Sequence, residues 1–173
     1  MLAYLFVVLA AAVHIRCIAL PFSFTPVLAA LLYFGARMPR KQMWIPVAML
    51  AASDIYLNRV VYNYPFNVDQ VVTWAFYAGV LLLGAFAIKG WSPVRIGASA
   101  LGGSVGFFVI SNFAVWLTGT MYPMTAGGLV ACYVAGLPFF RNALFSDMLF
   151  TAVFFGIGYM VSREQAASHS LAA

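Results

Sequence analysis

The sequence predicts an all-α fold, a polytopic membrane helix bundle of about six transmembrane helices, and two observations carry that prediction. Only 8% of the 173 residues are charged while 65% are hydrophobic, whereas a soluble domain carries roughly three times as many charges. The runs 71–88 and 96–117 contain no charged residue at all, over about the length a helix needs to cross a bilayer.

Hydrophobic runs and the breakers between them place six spans at about 2–19, 25–37, 43–58, 71–89, 95–117 and 145–162. The first begins without a basic leader and carries Arg16 inside its far end, so it reads as a membrane helix rather than a signal peptide. The second and third are short for a crossing. The fifth carries Ala98, Gly102 and Gly106 at four-residue spacing, with Gly103 and Ser104 beside them, which lets another helix approach closely. Residues 1–163 form one transmembrane helical domain, and 164–173 a short, frayed cytoplasmic tail in which His169 is solvated.

Arg37, Arg40 and Lys41 follow span two, Lys89 and Arg95 flank the next connection, and Arg163 follows span six. By the positive-inside rule these connections and both termini are cytoplasmic. The basic residues are scattered along the chain, which argues against a nucleic-acid surface. Cys17 and Cys132 lie far apart with no His or Cys at ligand spacing, so neither a disulfide framework nor a metal site is indicated. Both read as small packing side chains.

The stretch SNFAVWLTGTMYPMTAGGLVACYVAGLPFFRN, 111–142, does not fit the plain pattern. Residues 124–141 are apolar enough for a seventh, short span, but Gly127, Gly128, Gly136 and Pro138 are expected to break them into pieces shorter than a crossing, giving a helix or re-entrant segment packed in the outer half of the bundle.

Ionisable and polar groups inside spans are costly and tend to face a partner or a cavity. His14 and Arg16 in span one, Asp54 in span three and Asn112 in span five all fall toward the outer ends of their spans, and Arg141 and Asp147 border the start of span six. Each has a structural explanation taken singly: Arg16 pairing with Asp54, His14 hydrogen-bonded in the packing, Asn112 bonding between helices, Arg141 snorkelling to headgroups, Ser146 with Asp147 capping span six. Together on one side they point to a cavity opening outward. Tyr56, Tyr62, Tyr64, Trp74, Trp116, Tyr122 and Tyr133 lie near the same interface, as an aromatic belt or as a cavity wall.

No Walker-type loop, HExxH or GxSxG motif occurs, and no helix carries paired carboxylates, so the sequence shows no apparatus of an enzyme or an internal ATPase. No cofactor is implied. An intramembrane enzyme using His14 and Asp54 as acid and base would need both to meet near a nucleophile, which their spacing does not show.

Five motifs, FSFTPVLAALLYFGA (22–36), IPVAMLAASDIYL (45–57), SNFAVWL (111–117), MYPMTAGGLVACYVAGLPFFRN (121–142) and FSDMLFTAVFFG (145–156), resemble in that order a family of small bacterial integral membrane proteins of unassigned function. That family is similar to the substrate-binding S-components of energy-coupling-factor vitamin transporters. The resemblance implies a six-helix bundle in the bacterial inner membrane with a solute site near the outer face. A transmembrane coupling protein with ATPase subunits would be a partner, although Ala3, Ala10, Ala11 and Ala12 do not form the Ala-x-x-x-Ala repeat by which S-components dock.

The expected function is binding and transport of a small water-soluble nutrient such as a vitamin, by Arg16, Asp54, Asn112, Trp116, Tyr122, Thr125, Tyr133, Arg141 and Asn142. Asn112 would be a wall of the cavity, Trp116 its aromatic side and 118–142 a partly irregular lid. Arg16 and Arg141 would hold an anionic or carbonyl-bearing part of the solute. The rival expectation is a structural or assembly subunit of a larger membrane complex, docking through the small residues of span five.

Overall fold

The computed structural model describes residues 1–16, 24–63, 65, 66 and 68–171, apart from the side chains of Arg16 and 169–171. Cys17, Tyr64 and the side chains of Arg16 and His169 therefore lie outside the described residues. All regular structure among the described residues is helical: α1 (Leu2–Arg16), α2 (Val27–Arg37), α3 (Trp44–Tyr56), α4 (Val68–Ala87), α5 (Pro93–Leu117) and α6 (Ala126–Leu171). A 3-10 turn, Arg40–Gln42, precedes α3, and a π-helical turn, Leu57–Val61, prolongs it. Three helices, α4, α5 and α6, are long and apolar enough to cross a membrane. Their outward faces carry large exposed apolar side chains, among them Leu101, Val105, Phe113, Val130 and Val153, a surface suited to lipid rather than water.

The shortest helix is the centre of the bundle. Every residue of α2 from Val27 to Gly35 is buried, with α4, α6, α1 and α5 packed around it. Its 11 residues rise only about 16 Å, roughly half a bilayer core. Its start lies deep in the bundle: the Ser146 hydroxyl donates to the Thr25 carbonyl at 2.7 Å, and Leu28 meets Gly103 half-way along α5. Close approach of α2 to α4 depends on two glycines. A Cβ at Gly35 would run into the Leu81 carbonyl, and one at Gly84 into the Leu32 carbonyl.

Three of the arginines, Arg37, Arg40 and Arg163, gather at one end. Arg37 donates to the Gly90 carbonyl at 2.6 Å and lies 3.7 Å over the Trp91 ring. Arg40 stacks on Phe86, and Arg163 approaches Tyr159, whose ring meets Trp91. The start of α1 lies at this same end, with Tyr4 edge-on to Phe34 and Phe6 stacked on Phe154.

Four sequence expectations are overturned in α6. Residues 126–141 are no re-entrant or broken segment but the first part of one 46-residue helix, about 69 Å long if straight. Its glycines serve contact rather than turning: a Cβ at Gly128 would strike the Pro123 carbonyl, and one at Gly136 the Asn112 side chain. Pro138 removes a single ladder bond, to Val134, which a packed helix tolerates. The lid expected over 118–142 is thus irregular only before Ala126. Ser146 and Asp147 cap nothing, since they lie inside the helix. The tail is helical as well, through Leu171, because Glu164, Gln165, Ala166 and Ala167 are all good helix formers.

Candidate functional site

A cavity of about 330 Å³ lies in the half of the bundle away from the basic end. It is enclosed by the end of α1, the start of α2, the end of α3, the first half of α4, and the middles of α5 and α6. Its position follows from the short α2, which begins at mid-bundle and leaves the space beyond it unfilled by its own helix.

Three of the chain's four acidic residues, Asp54, Asp69 and Asp147, line this cavity. Asp54 is engaged at both oxygens: His14 Nε2 lies 2.8 Å from Oδ1, and Trp74 Nε1 donates to Oδ2 at 3.0 Å. Tyr77, which is buried, stands beside the same carboxylate. Asp147 is 7% exposed and accepts from the Ser104 hydroxyl at 2.6 Å. Asp69 sits in the first turn of α4, where a carboxylate suits the helix dipole. Its Oδ1 is nevertheless closed off from solvent with no hydrogen-bond partner. Asn58, on the π-helical turn, together with Gln70 and Thr73 completes the polar lining, and Phe76 and Phe107 form an apolar wall. His14 and Asp54 make the one ion-pair contact among the described residues, and no three His, Cys, Asp or Glu among those residues converge as a metal site.

Of the residues singled out from sequence, Asp54 lines the cavity, joined by His14 and Asp147. Arg16 ends α1, two residues beyond His14, its side chain outside the described residues. Asn112 lies in the seam of α5 and α6, donating to the Phe108 carbonyl at 2.8 Å, with the buried Cys132 thiol 3.3 Å from its backbone carbonyl. Trp116 and Thr125 hold the connection between those helices: the indole donates to the Pro123 carbonyl at 3.1 Å, and the Thr125 hydroxyl accepts from Gly128 N–H at 3.1 Å as the N-cap of α6. Tyr122 is half-buried in that connection. Tyr133 donates to the Val109 carbonyl at 2.7 Å. Arg141 is exposed on α6 and Asn142 half-buried beside it, neither of them in the cavity lining. The candidates thus fall into two groups, one around the cavity and one along the α5–α6 seam.

Sequence reasoning passed over Asp69, Gln70 and Thr73. The signal was available in the spacing: Asp69, Gln70, Thr73, Phe76, Tyr77 and Val80 recur along one helical face. Starting the fourth span at 71 had cut that face in two.

The profile of the DUF6580 family, described as a family of unknown function, matches residues 1–169. The chain belongs to that family. No curated protein and no solved structure matches it. What is specific about this DUF6580 chain is therefore carried by its own geometry, above all by the acidic cavity.

Proposed function

We propose that the chain is a multi-pass inner-membrane protein that binds a small water-soluble solute, such as a vitamin, in the cavity between α1, α3, α4 and α6 as part of its transport, and that it is not an enzyme. The observation that carries this reading is the cavity itself: about 330 Å³, within the range of small-molecule sites, and lined by both polar groups and aromatic rings. Polar side chains at such depth are expensive and are kept where they face a substrate or one another. Orientation rests on the cluster of Arg37, Arg40 and Arg163 at one end, taken as cytoplasmic. The cavity then lies in the outer half, as in an S-component-like bundle.

Coupling to a transmembrane partner with ATPase subunits is part of this reading. Ala3, Ala10 and Ala11 of α1 face the core, so that helix offers no small-residue docking stripe. On α5, in contrast, Ala98 and Gly102 are exposed, and nothing lies within 4 Å of a Cβ placed at Gly102. That open face also favours the second reading, a structural or assembly subunit of a larger membrane complex.

The deciding experiment is mass spectrometry of small molecules released by denaturing the gently purified protein, alongside an Asp54→Asn, Asp147→Asn double variant. A compound present in the wild type and absent from the variant is the expected result. Retention of other membrane proteins with no small molecule would instead establish the subunit reading.

A further inference from the structure

Taking the solute-binding reading as its basis, we infer that the solute is an organic cation, a protonated amine or amidine joined to a planar or apolar body. Asp54, Asp69 and Asp147 reach the cavity from three different helices, α3, α4 and α6. Among the described residues the one lining group able to carry positive charge is His14, and it is already committed to Asp54. The starts of α2 and α4 border the cavity and contribute roughly half a positive charge each. With all three carboxylates ionised, the lining stays negative by about one charge even beside a charged His14.

That surplus resides on Asp69, which is half-buried, and on Asp147, which is buried. Asp147 is 7% exposed, with Ser104 as its donor. Asp69 Oδ1 is closed off and has no donor at all. A buried carboxylate oxygen without a partner is costly, and a cation that fills the space would supply both the donor and the charge. A dehydrated metal ion is a poorer fit, since it needs several ligand atoms around one point and no three acidic, His or Cys side chains among the described residues converge so. Phe76, Tyr77 and Phe107 also line the cavity, and aromatic rings attract a cation and pack against a flat body. The space accommodates a solute of roughly a dozen heavy atoms.

The test uses the full-length protein in lipid nanodiscs and three probes of one shape and three charges: phenethylamine, 2-phenylethanol and phenylacetate. Thermal unfolding is followed by tryptophan fluorescence over millimolar titrations of each. Phenethylamine is expected to raise the melting temperature and to bind about tenfold or more tightly than the other two. Asp69→Asn should remove about that same factor. The wild-type comparison decides by itself should that variant fail to fold. Equal stabilisation by 2-phenylethanol would overturn the assignment of charge while leaving a solute cavity in place. A preference for phenylacetate would overturn it too. If none of the three shifts the transition, the inference fails, and the mass-spectrometric assay separately shows whether the solute-binding reading fails with it.

Discussion

His14 and Asp54 tie α1 to α3 through a 2.8 Å contact between Nε2 and Oδ1, across 40 residues of chain. Both side chains are largely withdrawn from solvent, at 23% and 12% exposure. Trp74 brings α4 to the same carboxylate, so Asp54 is the point where three helices meet.

A double-mutant cycle measures that junction. His14→Ala and Asp54→Asn are each expected to lower the melting temperature, with a coupling of about 1 kcal/mol between them. Denaturation of the four proteins in one detergent checks it. Strictly additive losses would show that the contact contributes nothing beyond packing.

The α2–α4 contact predicts a sharp contrast among glycines. Gly35→Ala and Gly84→Ala place a methyl against a backbone carbonyl, which cannot rotate away, and each should cost about 2–3 kcal/mol. Gly79 and Gly102 have open space where their Cβ would stand. Alanine there is expected to be neutral, or to stabilise by up to about 1 kcal/mol through helix propensity. Melting temperatures of the four single variants separate the two classes, and similar losses in all four would contradict the packing described.

At the α5–α6 seam, Gly136→Ala would press on the Asn112 side chain and should destabilise by about 1–3 kcal/mol. Because the obstacle is a side chain, shortening it should give relief. Gly136→Ala combined with Asn112→Ala is expected to unfold at a higher temperature than Gly136→Ala alone. A double variant weaker than both single variants would mean that Asn112 matters to the seam through its hydrogen bond to Phe108 rather than through space.

The helical class was legible because composition reports the solvent: with 8% charged residues the chain forms helices apolar enough to cross a membrane. His14, Asp54 and Asp147 were legible as well, since an ionisable group within an apolar run stands out at once. Asp69 was not, because a carboxylate at the edge of a run reads as part of a loop until the helix is known to begin at Val68. Gly136 and Pro138 misled for a related reason. Local propensity counts them as breakers, but within a seam a glycine admits the neighbouring side chain and a lone proline removes only one bond.

By itself the sequence determined that the chain is largely apolar helix, where basic residues cluster and which polar groups stand out within an apolar run. These are consequences of solvent and of local chemistry, and each can be read a few residues at a time. Only the tertiary structure decided that the eleven-residue α2 is the core, that 126–171 is one helix, and that three carboxylates share one cavity. Those outcomes depend on which helix packs against which. Such packing is fixed by contacts between residues far apart in the chain, as where Gly35 meets Leu81 and Ser104 meets Asp147, and no local pattern encodes them.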